Sequence, residues 1–330
     1  MKRNLFTFII KCVLAASPFL ALLISYFVLD PFMVLRHYDD YDSPSIQQSE
    51  GMIAWTKYKD HRKQMRYDSF IFGTSCSKAF RTYDWNRYIK GRPYRMFCND
   101  EGIGDILLKL QALAKQPDQE IKHVLIVAEP YIFEHDLPQA GVVHIMPPDV
   151  SGMSRMSFQI EFLQAFYMPS FLSPFLKYQF THKYDNSMRD VININGKIRD
   201  RLTNDAVMWQ DDYIKKYGEK YWQERDWHNQ KCQPSVHAAV IKTKQRECLS
   251  KIKALCDSLG SDIKIAIGPT FKCECISKAD LKIIKDVFGP KNVLNFSDEA
   301  HAKYRDYHYY YDPGHYRAVV GNEMMKQLYK

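Results

Sequence analysis

The sequence lacks several patterns that would assign the protein to a familiar functional class. Its 46 lysines and arginines exceed its 38 acidic residues, for a net charge of +8. The basic residues are spread along the chain, and no run of them resembles a nucleic-acid-binding arm. There is no internal repeat, no low-complexity tract and, with 46% hydrophobic residues, no sign of disorder. We therefore expect no nucleic-acid partner, and a basic surface compatible with an anionic envelope or an acidic glycan.

Metal and nucleotide motifs are equally scarce. The eight cysteines are scattered, and only Cys273 and Cys275 lie close together, without the second Cys or His pair that a zinc site needs. We predict no metal and no cofactor, and cysteines that pack as thiols or form one or two disulfides whose pairing the sequence leaves open. The segment 73–78 lacks the second glycine of a phosphate-binding loop, which argues against a P-loop.

The first positive feature of the sequence is a long apolar segment near its N-terminus. After Lys2 and Arg3, the stretch Leu5–Leu29 is apolar apart from Lys11 and a few hydroxyl residues. At 1.5 Å per residue it is long enough to cross a bilayer of about 30 Å, and Lys11 can snorkel to the headgroups. Its length favours an uncleaved anchor, residues 1–35, over a cleaved signal peptide. The preceding positive charge predicts a single-pass protein with a cytoplasmic N-terminus and an extracytoplasmic (periplasmic or cell-surface) main domain.

Beyond the anchor, residues 36–64 are predicted to form a stalk with a short helix at 52–59, and residues 65–330 an α/β domain. Strand and helix signals alternate, which favours a mostly parallel five-stranded sheet with helices on both faces, a three-layer α/β/α sandwich. A proline- and aromatic-rich stretch at about 137–235 predicts a helical insertion. The predicted strands are Ser69–Phe72, Tyr94–Phe97, Val124–Ala128, Ile263–Ile267 and Val293–Asn295. Helices are predicted at 78–89, from the turn at 99–104 to residue 114, at 236–259, at 278–287 and at the C-terminus.

Two distant stretches carry the groups of a hydrolytic triad. The first strand ends in Gly73-Thr74-Ser75, which places a serine at the carboxyl edge of the sheet, where α/β proteins keep their sites. Asp312 and His315 stand three residues apart, where a polar loop gives way to the last helix. A serine hydroxyl is a weak nucleophile until a base lies within hydrogen-bond reach, so ester chemistry needs such a trio. The alternatives are helix N-caps for the serine and the aspartate, a surface histidine, and Cys76 as a rival nucleophile.

Together these stretches resemble the SGNH, or GDSL-type, serine hydrolase superfamily. The resemblance covers roughly residues 65–135 and 260–330, and it implies an SGNH/flavodoxin-like fold. With its anchor, the chain looks most like the membrane-tethered extracytoplasmic branch, which includes the D-alanyl transfer protein of teichoic-acid synthesis and the alginate O-acetylation proteins. The resemblance implies Ser75 as nucleophile, His315 as general base and Asp312 as the carboxylate that orients the imidazole.

The resemblance also implies an oxyanion hole. Its expected donors are the Ser75 backbone N–H and Gly102, with Gly104 as the fallback. The family's third donor, an asparagine after strand three, is missing. The chain has Glu129 in that region, and a carboxylate cannot donate unless it is protonated. His228 or Asn229 of the insertion would then have to substitute.

These features predict a serine esterase or acyltransferase that acts on acyl groups, acetyl first among them, of an exported glycan or cell-envelope polymer. Its expected partners are membrane lipid, the glycan and an integral-membrane acyl-transfer protein. The alternative is a catalytically silent protein that binds a polymer or scaffolds an acyl-transfer complex, which the missing asparagine favours. The aromatic cluster Tyr304–Tyr311 suits either sugar stacking or packing of the loop.

Overall fold

The computed structural model describes residues 2–139 and 141–330. Of Lys2 and Arg3, whose charges predict the orientation in the membrane, only the backbone is described. The chain forms two compact units. The first contains the residues up to Asp40, Pro44–Gln48 and Ser154–Ile194, and the second contains Tyr41–Ser43, Ser49–Met153 and Asn195–Lys330. The predicted insertion at 137–235 is thus divided between the two.

The elements follow one another along the chain in a mixed α/β order. The α-helices are α1 Lys2–Leu29, α2 Glu50–Met65, α3 Thr82–Ile89, α4 Ile103–Ala114, α5 Pro148–Ser151, α6 Arg155–Tyr167, α7 Pro169–Thr181, α8 Trp209–Tyr217, α9 Lys220–Gln223, α10 Thr243–Ser258, α11 Lys278–Phe288 and α12 Ala318–Leu328. The strands are β1 Ser69–Gly73, β2 Pro93–Arg95, β3 His123–Ala128, β4 Ser235–Val236, β5 Asp262–Ile267, β6 Glu274–Cys275, β7 Val293–Asn295, β8 Tyr310–Asp312 and β9 His315–Tyr316.

A five-stranded sheet organises the second unit. Its strand order is β2-β1-β3-β5-β7, and all four pairings are parallel. Counted within the sheet, this order is 2-1-3-4-5, the doubly wound arrangement whose ligand crevice opens between the carboxyl ends of β1 and β3. Gly73 at the end of β1 pairs with Val127 next to the end of β3. The segments that follow these two strands therefore emerge side by side.

Apolar clusters cover both faces of the sheet. Along β1 the side chains alternate, so Phe70 and Phe72 lie in one cluster and Ile71 in the other. The first cluster includes buried residues of α4, α10 and α11, and the second includes residues of α3 and α12. Burial on both faces explains why β1 and β3 read as continuous apolar runs. The predicted α/β class and the five-stranded parallel sheet are confirmed.

Three segments differ locally from the predicted elements. The helix predicted at 78–89 is a 3₁₀ helix, Ser75–Ala79, followed by α3. The helix predicted from 236 begins only at Thr243, because the Asp280 carboxylate binds the two backbone N–H groups of Val240 and Ile241 at 2.9 and 3.0 Å. The short helix predicted at 52–59 within the stalk is longer, α2 at 50–65, and its side chains at 53–55 and 58 are buried.

The first unit contains α1, a continuous helix. Its segment Leu5–Leu29 has a mean hydropathy of 2.3, and only 6% of the most apolar window is buried. By length and composition this helix can cross a membrane. Such a helix, exposed along most of its length, agrees with the predicted anchor as far as length and apolarity go.

Candidate active site

A tight turn after β1 presents Ser75. Gly73 has a φ of +127°, and a Cβ there would lie 2.0 Å from the Val127 carbonyl oxygen, so only glycine fits. The next hydroxyl, that of Thr74, donates to Glu129 Oε2 at 2.6 Å and accepts from the Cys76 N–H at 3.3 Å. The turn is thereby fixed from both sides, and Ser75 becomes the first residue of the 3₁₀ helix Ser75–Ala79.

A β-hairpin, rather than the start of a helix, carries the acid and the base. Strands β8 and β9 pair antiparallel, with Asp312 opposite His315. The turn between them contains Gly314, whose N–H donates to Asp312 Oδ1 at 2.8 Å. Helix α12 begins only at Ala318. The Pro313-Gly314 turn thus folds the two functional side chains onto adjacent strands, where they face each other.

The three predicted catalytic side chains form one hydrogen-bonded chain. His315 Nδ1 lies 2.8 and 2.9 Å from the two carboxylate oxygens of Asp312, and its Nε2 lies 2.7 Å from Ser75 Oγ. Burial alone would raise the pKa of Asp312, but the hydrogen bond and charge of His315 outweigh it, and the pKa lies below its ordinary value. An ionised Asp312 holds the ring with Nδ1 protonated, which leaves Nε2 free to accept the serine proton.

The described hydrogen bonds of Cys76, the rival nucleophile, do not involve the imidazole of His315. Its thiol is buried and donates to the Gly314 carbonyl oxygen at 3.1 Å. Burial, together with the neighbouring Glu129 carboxyl, raises the pKa of this thiol well above its ordinary value. Since the thiolate is the reactive form, Cys76 is a packing residue in this arrangement.

Glu129 occupies the position just after β3, where the resemblance led us to expect an asparagine. It is 6% exposed and accepts the Thr74 hydroxyl proton on Oε2. Burial raises its pKa, against the opposing effects of the neighbouring Cys76 thiol and Thr74 hydroxyl. Burial therefore shifts the equilibrium of this carboxyl towards its neutral form, and a neutral carboxylic acid is a donor as well as an acceptor.

The two glycines predicted as oxyanion donors already have acceptors. The Gly102 N–H donates to Asp105 Oδ2 at 3.1 Å at the start of α4, and the Gly104 N–H donates to the His135 carbonyl oxygen at 3.0 Å. A Cβ on either glycine would approach residues 135–137 to about 2.5 Å, so close packing accounts for both. Either could bind an oxyanion only by leaving its present acceptor. In the described part of the chain, the Ser75 N–H has no hydrogen-bond acceptor, as expected at the start of a helix.

The substitute donors suggested from the insertion lie elsewhere. His228 Nδ1 is 2.6 Å from the Arg225 carbonyl oxygen, and its ring lies 5.7 Å from that of Tyr307. Asn229 is exposed. Among the described contacts, neither His228 nor Asn229 touches the triad. Within the aromatic cluster, the side chains of residues 304, 310 and 311 are buried, which favours packing over sugar stacking for these three.

Lys78 is a candidate that sequence reasoning passed over. In a 3₁₀ helix, residues three apart lie on the same face, so Lys78 shares its face with Ser75. Its ammonium lies 5.9 Å from the centre of the Phe97 ring, and no ion pair is found for it among the described residues. Burial lowers its pKa, although the nearby Glu50 and Asp312 carboxylates oppose this shift. The sequence signal that could have identified Lys78 is a serine and a lysine three residues apart at the end of a strand.

The arrangement as a whole joins a serine hydroxyl, an imidazole and a carboxylate by hydrogen bonds, with the ammonium group of Lys78 on the same face of the 3₁₀ helix as the serine. Within the residues that the structure describes, no three His, Cys, Asp or Glu side chains are grouped so that they could hold a metal ion. No protein-family model, curated protein or solved structure matches the chain.

Proposed function

We propose that this protein is a membrane-anchored, SGNH-like serine esterase or acyltransferase that acts on acyl groups, acetyl foremost, of an exported glycan or cell-envelope polymer. The observation that carries the proposal is the chain from Asp312 through His315 to Ser75, with its last contact at 2.7 Å. Residues so far apart in sequence have no structural need to meet in this order. A nucleophile, base and orienting carboxylate in hydrogen-bond reach are the parts that acyl transfer requires.

The proposed reaction has two halves. Ser75 Oγ attacks the ester carbonyl carbon while His315 Nε2 takes the hydroxyl proton, and Asp312 stabilises the imidazolium. The tetrahedral intermediate then breaks its bond to the sugar oxygen, which receives the proton from His315, and the acyl group stays on Ser75. In the second half, water or another sugar hydroxyl, deprotonated by His315, attacks the carbonyl carbon of this acyl-serine. The second tetrahedral intermediate then breaks its bond to Ser75 Oγ, which takes the proton back from His315. Access of water to the acyl-enzyme decides between hydrolysis and transfer.

The oxyanion needs donors aimed at the developing charge. The Ser75 N–H is unoccupied within the described structure, and a protonated Glu129 would supply an O–H from the far side of the turn. The Lys78 ammonium adds positive charge on the face of the 3₁₀ helix that carries Ser75. In our proposal these groups replace the missing asparagine.

Two features support an extracytoplasmic location. The apolar helix α1 is long enough to anchor the chain. Cys232 and Cys273 form a disulfide, and such bonds persist mainly in oxidising compartments. A main domain held at the outer membrane surface can reach an exported polymer and an integral-membrane acyl donor.

A second candidate is a catalytically silent polymer-binding or scaffolding protein. The observation that favours it is the engagement of the Gly102 and Gly104 N–H groups by other acceptors. A site without enough oxyanion donors can keep its triad and still turn over slowly.

Labelling with a fluorophosphonate, which reacts with activated serines, separates the two candidates. We expect the full-length protein in detergent to be labelled at Ser75, as located by peptide mass spectrometry. Ser75→Ala should abolish labelling, and Ser77→Ala, which removes a buried hydroxyl from the same short helix, is the matched control that should keep it. Absence of labelling, or labelling at another serine, would favour the silent protein.

A further inference from the structure

The helical hairpin α6–α7 in the first unit has an uncharged tip. Helix α6 ends at Tyr167, α7 begins at Pro169, and Met168 joins them. Residues 162–176 contain no acidic or basic side chain, and their only polar side chains besides Tyr167 are one glutamine and two serines. Charged residues, among them Glu161 and Lys177, stand on either side of this segment. The hairpin is therefore apolar at its tip and charged towards its base.

The hairpin lies along the second half of α1 and the residues after it. Four contacts follow one another in register. Gln159 Nε2 donates to the Val34 carbonyl oxygen at 2.9 Å, the Phe162 ring lies 5.4 Å from Phe32, the Phe166 ring lies 5.3 Å from Tyr26, and the Tyr167 hydroxyl reaches the Phe19 carbonyl oxygen at 3.4 Å. Helix α6 thus runs antiparallel to α1, with its tip beside the middle of the apolar segment.

The position of Lys11 indicates how deep in the bilayer these contacts lie. If this ammonium lies at the inner headgroups, the uncharged stretch Cys12–Leu29 spans about 27 Å at 1.5 Å per residue, close to a full hydrocarbon core of about 30 Å. Asp30 then marks the outer boundary, where its carboxylate binds the N–H groups of Val34 and Leu35. Phe19 is eleven residues before Asp30, or about 16 Å along the helix axis, which is close to the middle of the bilayer.

The exposed surface of the hairpin tip is uncharged and carries large apolar side chains, with Gln164, Ser170 and Ser173 as its exposed polar residues. Met168 at the tip is 57% exposed, Ile160 is 44% exposed and Phe180 near the base is 83% exposed. Transfer of large apolar side chains from water to a lipid environment is favourable, so several of them facing water would be unfavourable. The backbone suits lipid as well, because both arms are helical, the Met168 N–H binds the Ala165 carbonyl oxygen, and the residue that opens α7 is a proline without an N–H.

We infer that the α6–α7 hairpin is a second membrane-embedded element, which enters the outer leaflet beside α1 and returns to the same side without crossing. The inference rests on the proposed anchoring of α1 in a membrane. The ligand of this surface is the acyl-chain region of the lipid, and the charged residues at the base lie at the headgroups. The anchor is then a three-helix structure in its outer half, in place of a lone helix.

Cysteine accessibility in right-side-out spheroplasts tests the inference on the full-length chain. Met168→Cys reports the tip, and Lys183→Cys, an exposed position just beyond α7, is the matched control. A membrane-impermeant maleimide added outside should label Lys183→Cys quickly. We expect Met168→Cys to react at least tenfold more slowly until the membrane is dissolved in SDS, because lipid is all that covers this exposed side chain. Labelling is measured at each peptide by mass spectrometry, which separates it from the native cysteines.

The possible results are distinguishable. Equal labelling of the two positions in intact spheroplasts would place the tip in water and overturn the inference, while leaving the proposed enzyme untouched. Protection of both positions would contradict the outside location itself, and with it the proposed envelope function. An independent readout uses Met168→Trp in liposomes with lipids brominated near the chain ends. All five native tryptophans belong to the second unit, so a marked increase in quenching over the unmodified protein supports the embedded hairpin, and no increase contradicts it.

Discussion

Glu129 is the residue at which the local chemistry is most constrained. It must accept the Thr74 hydroxyl at 2.6 Å in a buried position after β3, and an ionised carboxylate in such a place pays for desolvation. Burial therefore raises its pKa. The SGNH resemblance calls for an asparagine amide as a donor in this region. A neutral Glu129 carboxyl has nearly the same shape as an amide and can also donate a hydrogen bond. In the oxyanion hole that we propose, this carboxyl can donate a hydrogen bond at low pH and loses that ability as it ionises.

The pH dependence of folding stability in Glu129→Gln tests whether the pKa of Glu129 is raised in the folded state. A carboxyl whose pKa is higher in the folded state binds its proton more tightly there, so folding stability falls as the pH rises above the unfolded-state pKa of about 4.3. Glutamine removes this dependence. We expect the variant and the original protein to differ little at pH 4, the variant to become more stable by comparison as the pH rises through the raised folded-state pKa, and the difference to level off above it. Urea denaturation at several pH values measures the difference, and a pH-independent offset would contradict the raised pKa.

Substitutions of the triad test the chemistry at the same scale. Ser75→Ala should remove almost all turnover of an aryl acetate and leave the melting temperature nearly unchanged, because a small, partly exposed side chain contributes little packing. His315→Ala should lose about as much, since nucleophile and base act as a unit. Asp312→Asn should lose as much or less, through the wrong imidazole tautomer. Retained turnover in Ser75→Ala would refute the hydrolase proposal.

At the scale of elements, the site depends on how closely α12 approaches the 3₁₀ helix that carries Ser75. Gly321 of α12 faces the Ala79 carbonyl oxygen, and a Cβ there would lie 2.2 Å from it. Backbone atoms cannot move aside as a flexible side chain can. The glycine therefore determines how near the C-terminal helix stands to the nucleophile.

Gly321→Ala sets two opposing effects against each other. Alanine stabilises a helix by about 1 kcal/mol relative to glycine, whereas overpacking against backbone costs about 1–3 kcal/mol. We expect the second effect to win, with a net loss of stability and reduced turnover as Ser75 shifts. Val319→Ala, an exposed change on the same helix, should stay within about 0.5 kcal/mol. Thermal unfolding and ester hydrolysis of both variants measure the two effects. A Gly321→Ala protein more stable than the original would show that α12 and the 3₁₀ helix can move apart without loss of stability.

At the scale of the whole molecule, the disulfide between Cys232 and Cys273 closes a long loop of the second unit. Their separation of 41 residues corresponds to a stabilisation of about 4 kcal/mol in the chain-entropy model. Cys273→Ser should therefore lower the free energy of unfolding by about 2–5 kcal/mol, and reductant should have a similar effect on the unmodified protein. Cys275→Ser, which removes a free thiol two residues away, is the control and should change little. Equal stability of both variants would show that the bond is not formed.

The orientation in the membrane is a second prediction at this scale. We expect protease added to intact spheroplasts to degrade the chain beyond about residue 35, because the anchor is retained and its preceding charge stays inside. Immunoblotting before and after lysis measures the protected fraction. A main domain that becomes sensitive only after lysis would reverse the orientation.

Much of the architecture could be predicted from the sequence because it depends on local patterns. Buried parallel strands are short apolar runs, so β7 was predicted at its observed bounds and β3 differs by one residue. The apolar length of α1 is likewise a local property. Even the trio of Ser75, Asp312 and His315 followed from residue types placed near element boundaries, because parallel strands bring their carboxyl ends to one edge.

Tertiary structure decided what depends on distant neighbours. The turn at Pro313-Gly314 folds Asp312 and His315 into a β-hairpin. From the sequence alone we expect both residues at the start of the last helix, because helical periodicity begins just after them. The raised pKa of Glu129 depends on burial, and the close packing of Gly102 and Gly104 depends on residues some thirty positions later. The packing of α6–α7 beside α1 joins segments more than a hundred residues apart. Periodicity and propensity act over a few residues, whereas desolvation, close backbone approach and docking of helices are set by the atoms that the fold brings together.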